Sequence, residues 1–176
     1  MQEMCGTVPG IGKSDRSSLG KQNRDKGQEF QDQVKLGILQ LPRICRFRIK
    51  DSANEGPADE LILVPSGRRI LNEIKTTESD RLGLKAYKST QVSGLLQFER
   101  IDPYWNIAIT TIRFELPEQH QVFVVRWAAF LSGLRSKRLA YLTREEIAEI
   151  GIPVPPLTIG IEQAWDFSQV WPFGGD

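Results

Sequence analysis

The sequence predicts an α/β fold with a mixed central β-sheet flanked by helices, and three observations carry that expectation. Apolar residues recur with helical spacing in some segments and alternate with period two in others. A strong turn signal joins two of the alternating runs into a hairpin. The order along the chain is helix, three strands, helix, two strands, then further helices. At 176 residues the chain fits one domain with a sizeable core, and 40% hydrophobic with 26% charged residues is ordinary for a soluble protein. No apolar run approaches the roughly 20 residues that a spanning helix needs, so no membrane span is expected. Met1 to Lys21 lacks a continuous apolar stretch of the secretory kind, which makes a cytoplasmic location the expectation.

Residues 1–22, rich in Gly, Ser and charge, are expected to be disordered. Gly12-Lys13-Ser14 suggests a phosphate loop, but Thr7 stands where its first glycine belongs and no strand precedes it. Residues 23–152 form the expected folded domain. It opens with a helix over Asn23 to Leu39, in which Phe30, Val34 and Ile38 recur every four residues and Glu29 lies beside the apolar stripe. Pro42 ends it. Cys45, Phe47 and Ile49 then alternate with Arg46, Arg48 and Lys50, the pattern of a half-buried strand with Cys45 in the core and the basic side chains on the other face.

Leu61 to Val64 and Arg69 to Lys75 flank Pro65-Ser66-Gly67-Arg68 and predict a hairpin. Ser89 caps a helix carrying Val92, Leu95, Leu96 and Glu99, which ends before Pro103. Asn106 to Glu115 and Gln121 to Trp127 read as strands. A helix starts near Ala128, and Thr143 to Glu146 makes a capping box for a short helix closed by Gly151. Residues 153–176 form a Pro- and aromatic-rich C-terminal tail. Its Trp165, Phe167, Trp171 and Phe173 are expected to pack back on the domain, with docking on another subunit or a repair protein as the alternative.

Cys5 and Cys45 make neither a disulfide framework nor a zinc site. The net charge is only +1, but Lys21 to Lys50 holds eight Lys or Arg against three Asp or Glu, either a polyanion-facing block or a solvated face. The chemistry lies in the hairpin. A turn centred near Ser66-Gly67 puts Asp59 opposite Glu73 or within one residue of it. Directly opposed β-residues hold their Cβ atoms about 4.5–5.5 Å apart, so two such carboxylates repel unless a proton or cation sits between them. A hard divalent ion needs only one or two carboxylates. Lys75 shares a face with Glu73 by the period of two, where an ammonium favours a hydroxide nucleophile. Ile74 can offer its backbone carbonyl to the ion. The bland alternative is a solvent-facing charge pair of little worth to stability. His120, in a turn-like segment, is assigned nothing.

Pro57-Ala58-Asp59, thirteen intervening residues and Glu73-Ile74-Lys75 resemble the PD-(D/E)XK nuclease signature. Together with Lys26-Gly27-Gln28-Glu29-Phe30, Thr76, and Ser89-Thr90-Gln91 followed by Leu95, the pattern over about Asn23 to Leu134 is similar to RecU-type Holliday junction resolvases. The archaeal junction resolvases are comparably similar. They share a Lys-Gly then acidic start and, like this chain with its short loop Asp51 to Gly56, lack the long RecU-type insertion. The resemblance implies a restriction-endonuclease-like core, homodimers, Mg²⁺ (with Mn²⁺ able to substitute) and cleavage of branched DNA in recombination and repair. It further implies metal ligation by Asp59 and Glu73, nucleophile positioning by Lys75, and support of metal and water by Glu29 and Gln91, with Glu29 a further candidate ligand. Arg46, Arg48, Lys85 and Lys88 are candidate phosphate contacts. The alternatives are a restriction-like or phage-type nuclease on duplex DNA, and a non-catalytic DNA-binding accessory protein on the same fold.

Overall fold

The computed structural model describes residues 13–49, 56–117 and 120–170. Helix α1 (Lys13–Leu39) begins ten residues before Asn23, so the segment expected to be disordered is helical from Lys13 onward. An apolar stripe marks where a helix is buried and not how far it runs: once nucleated, a helix extends through proline-free polar sequence at one hydrogen bond per residue. The stripe itself behaves as expected. Phe30, Val34 and Ile38 are fully buried, each burial contributing about 1.5–3 kcal/mol.

Strands β1 (Cys45–Arg48), β2 (Glu60–Leu63) and β3 (Arg69–Thr77) follow as an antiparallel meander. Gly67, at φ 85°, turns β2 into β3, and Trp105 lies directly over it where a Cβ would meet the indole at 3.3 Å. A short strand β4 (Arg81–Gly83) and a 3₁₀ turn (Leu84–Ala86) lead to α2 (Ser89–Ile101). This helix is the crossover that parallel pairing of β3 with β5 (Asn106–Phe114) requires. Strand β6 (Gln121–Arg126) runs back along β5, α3 (Trp127–Lys137) follows, and β7 (Tyr141–Thr143) pairs with β4 in a small separate sheet. Helix α4 (Arg144–Ile150) carries the expected capping box, Thr143 Oγ1 accepting from the Glu146 N–H. Strand β8 (Ile152–Val154) completes a six-stranded mixed sheet in the order β1-β2-β3-β5-β6-β8.

Two cores cover its faces. Helix α1 packs with Ile62, Ile70, Ile74, Ile107 and Ile109 on one side, and α2 and α3 pack with Leu71, Ala108 and Ile112 on the other. The segment read as a tail belongs to the first core. After β8, β9 (Pro156–Ile159) and β10 (Glu162–Trp165) form a hairpin against α1, with Trp165 edge-on to Phe30 and Phe167 and Val170 fully buried. Trp171 and Phe173 lie outside the described residues.

One core assignment is reversed. Cys45 is exposed, and Phe47 on the same face is 52% exposed, because β1 is the sheet's edge and α2 packs chiefly over β5 and β3.

Candidate active site

The hairpin register sets the centre of the site. Leu63 pairs with Arg69 and Glu60 with Asn72, which carries Asp59 to the position opposite Glu73. The Asp59 N–H donates to the Asn72 carbonyl at 3.2 Å, and there the ladder stops while β3 runs on to Thr77. Into the gap turns the Asp59 side chain, whose Oδ2 accepts the Ile74 N–H at 2.8 Å. The N–H and C=O of one strand residue point to the same side, so the Ile74 carbonyl opens on the Asp59 side as well.

Helix α2 supplies the next layer, and Gly94 lets it approach: a Cβ there would fall 2.4 Å from Pro57 Cβ. Gln91, in the first turn, uses its whole amide. Its oxygen accepts from the Lys88 N–H (2.9 Å) and from Lys75 Nζ (3.3 Å), and its nitrogen donates to Glu73 Oε1 (2.6 Å). The acceptor contacts orient the amide so that its nitrogen faces the carboxylate. Lys75 Nζ also meets Glu73 Oε1 at 2.7 Å and lies 5.1 Å from the ring centroid of buried Tyr87, a cation–π contact. The Tyr87 hydroxyl shares a hydrogen bond with Thr110.

Burial dominates the electrostatics. Glu73 is 1% exposed, and burial, reinforced by the Asp59 charge, pushes its carboxyl up to about 7 despite Lys75. Burial also raises Asp59, against the Ile74 N–H and Lys75. Glu73 Oε2 is buried without a hydrogen-bond partner. An orphaned carboxylate oxygen beside a second carboxylate suits a hard cation with oxygen ligands, so the donor set fits a divalent ion on Asp59, Glu73 and the Ile74 carbonyl. Among the described residues no cluster of three or more His, Cys, Asp and Glu side chains is assembled, so the acidic centre is a pair.

Glu29 is not part of it. It is exposed and accepts from Gln33 one turn on. Taking Phe30 as the buried direction, Glu29 and Gln33 lie on one flank of α1, and Gly27, Gln28 and Gln31 on the other. Gln33 is engaged by the Trp165 indole, away from the hairpin. The other flank meets the site, where Gln31 Nε2 donates to Asp59 Oδ1 at 3.2 Å. Sequence reasoning missed Gln31, Gln28 and Arg24; their shared flank with Gly27 was the available signal.

A polar cavity of about 750 Å³ opens over Asp59, rimmed by Arg24, Gln28, Gln31, Arg48, Lys88 and Gln91. Two of the four expected phosphate-binding cations therefore stand at the opening. Arg46 does not: it is 11% exposed and turns onto Glu60, itself buried, through an ion pair and an Nε hydrogen bond of 2.8 Å. Lys85 is exposed on the 3₁₀ turn and is not among the cavity's lining residues. His120 is exposed and lines a small groove beside Gln33 and Trp165, apart from the acidic pair.

No protein-family model matches the chain, and no curated protein is significantly similar to it. Among solved structures, the chain is similar to Hjc of Archaeoglobus fulgidus, a Holliday junction resolvase from an archaeal hyperthermophile. The TM-score is 0.51 and the identity 13%, over 72% of this chain and 95% of that one. At that identity the likeness bears on the fold, a six-stranded mixed sheet flanked by helices and consistent with the restriction-endonuclease-like core.

Proposed function

We infer that the protein is a metal-dependent endodeoxyribonuclease acting on branched DNA, with Asp59, Glu73 and Lys75 as its reaction centre. The observation that carries this reading is the buried Asp59–Glu73 pair with its orphaned Oε2, an ammonium at 2.7 Å and a cation-rimmed opening above. The fold likeness to an archaeal junction resolvase supports branched DNA as the substrate class. The RecU-type alternative turns on the loop before Pro57, of which residues 50–55 lie outside the described residues.

Asp59, Glu73 and the Ile74 carbonyl would hold Mg²⁺, or Mn²⁺ in its place; when bound, the ion lowers the pKa of water and neutralises phosphate charge. Gln91 and the Tyr87 ring hold Lys75 where its ammonium electrostatically favours a hydroxide nucleophile. Arg48, Lys88 and Arg24 bind the flanking phosphates, so affinity falls steeply with salt. Gln31 and the Ile74 N–H keep Asp59 in one rotamer.

Paired cuts across a junction call for a two-fold dimer. The edge of the sheet, uncovered among the described residues, suits it: Cys45 and Phe47 lie directly opposite half-buried Leu63 and Leu61, with Trp105 exposed at the hairpin turn. A repair-protein contact through the tail would rest on residues 171–176, because Trp165 and Phe167 are taken up by the core.

The test is Mg²⁺-dependent hydrolysis of a labelled mobile four-way junction, a fork and a linear duplex. Cutting of the branched substrates over the duplex is expected. Equal cutting of duplex would mark a restriction-like nuclease, and binding with no cutting in Mg²⁺ or Mn²⁺ would mark an accessory DNA-binding protein.

A further inference from the structure

We propose that this site is built for a single divalent cation per chain, because the side chain that α1 sends to Asp59 is a neutral amide, Gln31, where a third carboxylate would make room for a second ion. The inference rests on the nuclease reading and specifies its metal requirement.

Gln31 bridges two charged groups. Its Nε2 donates to Asp59 Oδ1 at 3.2 Å and its Oε1 faces Arg48 Nη2 at 3.4 Å. Reversed, the amide would set oxygen against carboxylate and NH₂ against guanidinium, so the two neighbours dictate its orientation. The amide oxygen is thereby turned away from Asp59 and is not a ligand for an ion on that carboxylate. With Oδ2 held by the Ile74 N–H, each Asp59 oxygen already accepts one hydrogen bond.

A second ion would lie about 3.5–4 Å from the first and needs anionic ligands of its own. On the α1 side of Asp59 it would meet the Gln31 NH₂ group and Arg48, with Arg24 and Lys88 on the same cavity wall. Of the acidic residues flanking Gln31 on the helix, Glu29 points to the opposite flank, and Asp32 accepts from the Gln28 amide and does not line the cavity. Among the described residues that line the cavity, Asp59 is the one acidic side chain and Arg24, Arg48 and Lys88 are basic, so the wall on the α1 side opposes a second dication. The charge a second ion would bring to the scissile phosphate is supplied by side chains.

Counting Mn²⁺ per full-length chain by electron paramagnetic resonance, with calorimetric titration for affinity, tests this directly. Wild type should saturate at one ion. Gln31→Glu should take up a second and bind the first about tenfold more tightly, as added ligand charge does in cation sites. Gln31→Met, which removes the amide without adding charge, should stay at one, and Asp59→Asn should bind none. Two ions on the wild type, or one ion with unchanged affinity on a folded Gln31→Glu, would overturn the inference while leaving the nuclease reading standing. No ion on the wild type would overturn both.

Discussion

Replacing Glu73 with glutamine should make the metal-free protein more stable at alkaline pH while removing its capacity to bind the cation. Glu73 is 1% exposed, and its carboxyl is raised to about 7 from an ordinary 4.5. Because the folded-state value is the higher one, protonation favours folding. That contribution is fully present below about 4.5 and is lost as pH rises through about 7. A shift of this size corresponds to about 3 kcal/mol at pH 8. Glutamine keeps the shape and the acceptor for Gln91, but Lys75 loses its ion-pair partner, which offsets part of the gain. A net stabilisation of about 1.5 kcal/mol is expected, raising Tm by about 3–6 °C for a domain of this size. Calorimetry in EDTA at pH 8 and at pH 5 reads it: the variant should melt higher at pH 8, and the two should converge at pH 5, where wild-type Glu73 is protonated. A variant that melts lower at pH 8, or a gap independent of pH, would refute the argument that a buried, repelled carboxylate sits here at a cost to the fold.

Other consequences follow from packing and charge. Gly94→Ala places a methyl 2.4 Å from Pro57 Cβ, so α2 must shift; a loss of about 1–3 kcal/mol is expected in denaturant melts, with weakened metal binding because Pro57 and Gln91 move with it. Phe167→Ala should cost about 3–5 kcal/mol, since its ring is fully buried; a loss under 1 kcal/mol would return this segment to the status of a tail. Phe47→Asp should yield a folded monomer in sedimentation if the uncovered sheet edge is the dimer surface, and an unchanged dimer would place the interface elsewhere. Tyr87→Leu removes the ring beneath Lys75 and should lower the maximal cleavage rate more than DNA affinity, whereas equal losses would show that Tyr87 only supports the fold.

The legible parts of this fold and site were those that periodicity determines. A tight turn and a period of two suffice to set Asp59 against Glu73 and Lys75 beside it, and the structure keeps that register. Gln91 came from the family resemblance and not from periodicity; the structure places it in the first turn of α2, whose N-cap is Lys88 and not Ser89. Glu29 was misplaced because the Phe30, Val34 and Ile38 stripe shows which side of α1 is buried but not which flank faces the hairpin. That choice is made by Trp165 and Arg113 engaging Gln33, across 132 and 80 residues of sequence. Arg46 and Cys45 misled in complementary ways. Alternation correctly separated their two faces, but a polar side chain can be buried by a partner such as Glu60, and an apolar one stays exposed where no described element covers the sheet's edge. The β9–β10 hairpin closes on α1 through contacts between the two ends of the domain, which no local window contains.

The most direct measurement is cleavage of one mobile four-way junction in Mg²⁺ by the wild type and by Asp59→Asn, with junction binding followed in parallel. Symmetric paired cuts by the wild type, reduced at least about a hundredfold in a variant that binds the junction as well as before, are the expected result. Undiminished cutting by Asp59→Asn, or no cutting by a wild type that binds both junction and metal, would contradict the assignment of this carboxylate pair as the reaction centre.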